Sequence, residues 1–90
     1  MNLGDRPEIS SEVVARQVGG ETILLDLVTG AYYNLDAVGG LVWRALEDGA
    51  SLAQACDRIE ASYNVTRDRL EHAVLALVHQ FIEQGLVSKE

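Results

Sequence analysis

The hydrophobic period of this chain changes once, at Leu35-Asp36, and that change dictates the kind of fold it can reach. From Val13 to Leu35 the pattern is that of three short strands separated by glycine-bearing turns. Val13 to Val18 is rich in valine and ends at Gly19-Gly20, which tolerate positive φ in a tight hairpin. Thr22 to Leu27 is the second strand. Val28-Thr29-Gly30 makes a turn with glycine last, and Ala31 to Leu35 is the third strand. Pairing Leu27 with Ala31 sets Leu25 opposite Tyr33 and Ile23 opposite Leu35. Ile23, Leu25, Leu27, Ala31, Tyr33 and Leu35 then form the core face, and Leu24, Asp26, Tyr32 and Asn34 the wetter one. The pattern leaves the phase of the first strand open.

After Leu35 apolar residues recur at helical spacing. Asp36 is a candidate N-cap for a helix over Ala37 to Glu47, with Val38, Leu41, Val42 and Ala45 on one side and Asp48-Gly49 as its stop. Ser51-Leu52-Ala53-Gln54 fits a capping box opening a second helix that carries Leu52, Ala55, Cys56, Ile59 and Tyr63. Thr66 caps a third helix, which has Asp68 in its first turn and runs to about Gln84, ahead of Gly85. Leu86 and Val87 should fold back onto the core. The expected architecture is α+β, a three-stranded antiparallel sheet followed by three helices. Residues 1–11, polar and carrying the single proline Pro7, are expected to be a flexible N-terminal segment, and residues 12–90 the domain.

Ninety residues suffice for one domain with a modest core, which disfavours a deep catalytic cavity. Seven Lys plus Arg against fourteen Asp plus Glu give a net charge of −7, with no basic cluster to meet a phosphate backbone. The lone cysteine, Cys56, excludes an internal disulfide and reads as a buried thiol. Neither a signal peptide nor a membrane span is visible, so a soluble, cytoplasmic protein is expected. His72 and His79 lie seven residues apart on a polar helix face and read as solvated. Trp43 reads as core, and Asp26 and Asp36 do not form a dyad. With no catalytic constellation, phosphate loop or metal-ligand spacing, the expectation is a protein without enzymatic activity, cofactor or metal.

Two features leave room for a peptide ligand. The third strand, Ala31-Tyr32-Tyr33-Asn34-Leu35, lacks the Pro, Lys or Glu that blunts a sheet edge, so it can accept an extended peptide by strand addition. Coverage of that edge by the chain itself, or pairing in a dimer, are the alternatives. The third helix has a core stripe of Leu70, Val74, Leu77 and Phe81. Ala73 widens it on one flank, and Val78, Ile82 and Leu75 on the other, to an arc of about 200°. Either two layers bury this helix or part of the arc lines a groove against the third strand.

The stretch Leu24-Leu25-Asp26-Leu27-Val28-Thr29-Gly30-Ala31-Tyr32-Tyr33-Asn34-Leu35-Asp36, continued through Val42-Trp43 and an acidic-Gly turn, resembles the PqqD-like domains. These are recognition elements for ribosomally made, post-translationally modified peptides. The resemblance covers about residues 12–88. It implies a winged helix-turn-helix-like fold that captures the leader of a precursor peptide, antiparallel to the third strand and against the third helix. By carry-over, the backbone of Ala31, Tyr32, Tyr33, Asn34 and Leu35 pairs with the leader. Tyr33, Leu70, Val74 and Leu75 line pockets, and Arg67 and Glu71 orient polar leader groups. On this reading Val74→Asp abolishes binding and leaves the fold intact. Tyr32-Tyr33-Asn34-Leu35, Gly39-Gly40-Leu41-Val42-Trp43 and Asp48-Gly49 most resemble the stand-alone subunits of lasso-peptide pathways. Those hand the precursor to a leader peptidase and then to an ATP-dependent cyclase. Asp36 stands where relatives often have Asn, and both cap helices. The implied partners are a precursor peptide, the peptidase and the lasso cyclase, bound by a monomer or weak dimer. The alternatives are a PqqD-type carrier in pyrroloquinoline quinone synthesis and a DNA-binding winged helix. The latter would have only Arg67 and Arg69 on its recognition helix, against Asp68, Glu71 and Glu83.

Overall fold

The computed structural model describes residues 2–89; Met1 and Glu90, the outer ends of the two expected segments, lie outside them. The order of elements follows the change of period. Strands β1 (Glu8–Ile9), β2 (Val13–Val18), β3 (Glu21–Asp26) and β4 (Tyr32–Leu35) precede helices α1 (Ala37–Glu47), α2 (Leu52–Ser62) and α3 (Arg67–Glu83), and β5 (Val87–Ser88) ends the chain. β2, β3 and β4 form one antiparallel sheet in that order, and β1 pairs with β5 in a separate ladder. The fold is α+β, three antiparallel strands followed by three helices.

The register between β3 and β4 differs by one residue from the sequence expectation. Thr22 pairs with Leu35, Leu24 with Tyr33 and Leu25 with Tyr32. Such a slip turns a strand over. Leu24, expected on the wet face, is fully buried, while Leu27, expected in the core, is exposed. β4 keeps its expected phase, with Leu35 buried and Tyr33 packed on the core. The cause lies in the turn. Asp26 turns inward, and its Oδ1 accepts from the amides of Val28 (2.9 Å) and Thr29 (3.3 Å). The Asp26 amide donates to the Ala31 carbonyl, so the loop holds Leu27 to Gly30 and not three residues. Gly30 closes it at φ 78°, as a bulge glycine does.

The N-terminal residues, expected to be a flexible segment, are packed here. The amides of Leu52 and Ala53 donate to the carbonyls of Asp5 and Leu3, so this segment satisfies donors at the start of α2. Pro7 is buried, Leu3 and Ile9 pack on the core, and Arg6 Nη1 donates to the Gly49 carbonyl.

The helix boundaries follow their caps. Asp36 Oδ1 accepts from the Gly39 amide at 2.8 Å. Ser51 and Gln54 form the reciprocal capping box. Thr66 occupies the N-cap of α3, but its side chain makes no capping bond. Glycine inside α1 has a packing reason: a Cβ on Gly40 would stand 2.7 Å from Thr22 Oγ1, so α1 lies on β3 more closely than alanine permits. That approach sets Val42, Trp43 and Leu46 into the core, where Trp43 meets Phe81 of α3 edge-to-face at 5.4 Å. Leu86 and Val87 fold back and are buried, as expected.

Candidate functional site

β4 is hydrogen-bonded on one side only. Asp26 N–H donates to Ala31 O (2.9 Å), and Leu27 N–H donates to Glu12 O (2.8 Å). Antiparallel pairing alternates, so even-numbered residues of β3 bond to β4 and odd-numbered ones to β2. The same alternation leaves Tyr32 and Asn34 with their N–H and C=O groups directed away from β3. The free edge therefore presents two donors and two acceptors. The Tyr32 ring stands on the outer face of the sheet, 72% exposed.

Beside the end of this edge lies a cavity of about 270 Å³. Asn34, Leu35 and Asp36 form one wall, the first turns of α1 another, and Ala73, Val74 and Leu77 of α3 the wall opposite. Leu35, Val42 and Val74 are buried, so its floor is the core itself. The Asp36 carboxylate at its rim is held by the Gly39 amide. Among the described residues no hydrogen bond or ion pair joins β4 to α3. The seam is an apolar trough next to a strand edge whose outward main-chain groups have no partner among the described residues.

The structure brings part of the sequence-derived set together. Ala31, Tyr32, Tyr33, Asn34 and Leu35 lie in sequence along this edge, and Val74 faces it across the cavity. Leu70 is buried at the next cavity along the groove. Arg67 and Glu71 point elsewhere. Arg67 Nη1 donates to Asp57 Oδ1 (2.7 Å) and Glu60 Oε1 (2.9 Å) of α2, Nη2 to the Ala53 carbonyl (3.3 Å), and Nε to Glu71 Oε2 (2.8 Å). Hydrogen bonds to Asp57, Glu71 and Glu60 push the Arg67 pKa up and hold the guanidinium charged. Leu75 is half-buried against the core and outside the cavity wall. Val74 is 2% exposed, so an aspartate there would break the core, and the expectation of an intact Val74→Asp fold does not stand. The cavity residues that sequence reasoning did not assign to the site are Asp36, Val38, Gly39 and Val42, with Ala73 and Leu77 of α3. Ala73 was visible as one flank of the wide apolar arc, but only the placement of β4 shows which flank faces it.

Outside the trough, Cys56, His72 and His79 are the remaining nucleophilic or ligating candidates of the sequence. Burial pushes the Cys56 thiol pKa up, which keeps it protonated and unreactive. His72 and His79 are exposed, near Asp68 and Glu83 respectively. Among the described residues no cluster of His, Cys, Asp or Glu fits a metal ion, and no helix is long and apolar enough to cross a membrane.

Two solved structures share this architecture. One, TbiB1 in complex with the TbiA(beta) leader peptide, superposes with a TM-score of 0.84 at 35% identity, covering 89% of this chain and 93% of that one. The other, lasso peptide synthetase B1 complexed with the leader peptide, gives 0.83 at 28% identity, covering 91% of this chain and 96% of that one. No curated protein matches the chain. Residues 21–87 match the family described as coenzyme PQQ synthesis protein D, which spans the sheet from β3 onward, all three helices and the first residue of β5. The chain belongs to the PqqD family.

Proposed function

We propose that this protein binds the leader of a ribosomally made precursor peptide as an added strand, antiparallel to β4 and seated against α3, and carries out no chemistry itself. The observation that carries this reading is the free β4 edge beside an apolar trough, with the edge groups of Tyr32 and Asn34 turned outward. The two similar structures, each complexed with a leader peptide, support it. The second of them, a lasso peptide synthetase B1, also favours a lasso-peptide pathway, in which the bound precursor passes to a leader peptidase and a cyclase, over a carrier role in pyrroloquinoline quinone synthesis. A DNA-binding role has less support. The helix that would enter the groove spends Arg67 on three carboxylates, and the chain carries a net charge of −7.

The energetics suit a carrier that must release its cargo. Four edge hydrogen bonds contribute roughly 1 kcal/mol each. Two or three buried apolar side chains add roughly 1.5–3 kcal/mol each. Ordering the peptide costs on the order of 2–5 kcal/mol, and lost translational and rotational freedom costs more. What remains corresponds to a dissociation constant no tighter than about micromolar.

The test is a fluorescence-polarisation titration with a labelled leader from a short precursor encoded beside this gene, run with the wild type and with Ala73→Arg. Ala73 is exposed on the trough wall, so arginine there fills the groove without entering the core and keeps good helix propensity. Saturable binding by the wild type, at least about tenfold weaker in the variant, is expected, corresponding to a loss of about 1.4 kcal/mol. Equal affinity in the two proteins, or binding of a parallel duplex DNA probe in place of the leader, would overturn the reading.

A further inference from the structure

The sheet has a second edge, at β2, which bonds only to β3. Val13 pairs with Asp26 and Leu27 N–H donates to Glu12 O, so the even-numbered residues of β2 exchange main-chain bonds with β3. Ala15 and Gln17 therefore turn their N–H and C=O groups outward. Their side chains lie on the α1 side of the sheet, opposite the buried Leu24 and Thr22. Between this edge and α1 is a cavity of about 190 Å³, walled by Ala15, Gln17 and Thr22 on the sheet and by Gly40, Trp43 and Arg44 on the helix. Arg16 and Glu47 line it too.

The β4 trough is apolar, whereas this cavity is lined by hydrogen-bonding groups, and one of them has no partner. Trp43 is 1% exposed, and its indole Nε1–H is the one buried side-chain polar atom without a hydrogen bond among the described residues. A buried N–H left in that state bears the full desolvation cost of a lost hydrogen bond, and folded proteins hold few of them. The charges beside it are loosely held. Arg44 Nε stands 3.7 Å from Asp48, a carboxylate that already takes Arg58 Nη1 at 2.8 Å. Arg16 makes no hydrogen bond or ion pair among the described residues. In a chain of net charge −7, this wall sets two arginines against one acid, Glu47. Indole and guanidinium groups donate and do not accept, so they select an acceptor, and the excess of positive charge favours a carboxylate. We propose that the β2 edge is a second strand-addition site, which takes an extended acidic peptide whose inward-facing carboxylate accepts from Trp43 Nε1–H with Arg44 beside it. The outward groups of Ala15 and Gln17 align the segment, and the carboxylate decides which segment is accepted. The site lies on the edge opposite β4 and does not rest on the leader-binding reading.

Trp43 is the only tryptophan of the chain, so its indole N–H gives a single signal in a proton–nitrogen correlation spectrum of nitrogen-labelled protein. The probe is the blocked peptide acetyl-Thr-Val-Glu-Val-Thr-amide. Paired with β2, it turns its Glu and Thr side chains towards α1 and its valines to the outer face, beside the exposed Val14 and Val18. Saturable movement of the indole signal, together with the Ala15 and Gln17 amides, is expected. The same peptide with Gln in place of Glu should bind at least about fivefold more weakly, and so should the Glu peptide on Arg44→Gln, with the difference shrinking as salt is raised. Ala15→Pro removes an outward N–H that the sheet does not use, so the fold, checked by circular dichroism, should survive while binding is lost. An indole signal that the Glu peptide leaves in place, equal affinity for the Glu and Gln peptides, or unchanged affinity in folded Ala15→Pro would each overturn the site. A leader that adds to β4 moves the amides of Tyr32 and Asn34 and not those of Ala15 and Gln17, so either edge can fail while the other stands.

Discussion

Helix α3 has two seams, and they are built in opposite ways. Towards α2 it is closed by charge: one guanidinium, Arg67, joins Asp57, Glu60 and the Ala53 carbonyl of α2 to Glu71 of its own helix. Towards β4 it is apolar and open, with a 270 Å³ cavity and no hydrogen bond across it among the described residues. The closed seam holds α3 at a fixed angle. The open seam can then keep its shape without a ligand to fill it, which lowers the cost of binding. A groove between two loosely held walls would collapse, since interiors pack to remove such voids.

The largest effect is expected from breaking the floor of the open seam. Val74→Asp places a carboxylate where 2% of the side chain is exposed, and should cost on the order of 4 kcal/mol or more in stability, seen as a collapse of the thermal transition. Near-native melting would show that the floor yields and that the trough is soft. A smaller effect follows from opening the closed seam. Arg67→Ala should lower the melting temperature by less than Val74→Asp does, because its bonds are partly solvated. Leader affinity measured on folded protein should stay close to that of the wild type. A loss of affinity as large as that of Ala73→Arg would return Arg67 to the binding surface, where the family resemblance put it.

The contrast between the seams also explains what the sequence could show. The three-stranded sheet, the three helices and two of the three helix caps were legible because they rest on local chemistry: Asp36 over Gly39, the Ser51–Gln54 box and the glycine at Gly30 are written within a few residues. The β3 register was not. Apolar residues occupy both phases of residues 23–27, so alternation alone cannot choose, and the choice fell to Asp26 bonding the turn amides. The general location of the groove was legible from an unblunted strand and an over-wide apolar arc. Its lining was not, because the arc is apolar on both flanks. Which flank meets β4 and which meets α2 depends on tertiary placement. Arg67 and Glu71 illustrate this: their type suits a polar contact with a ligand, but the packing of α2 takes them first. The N-terminal residues misled for a similar reason, since a polar segment can still be held by the unpaired amides that open α2.

The central claim, that a leader strand completes the free edge of β4, is tested most directly by amide hydrogen exchange resolved at single residues, with and without leader. Tyr32 and Asn34 should exchange fast in the free protein and slow markedly on binding. Tyr33 and Leu35, whose main-chain groups face β3, should be slow already and change little. Protection that appears only along α3, or equally at all four amides, would contradict strand addition and leave a groove that binds by side chains alone.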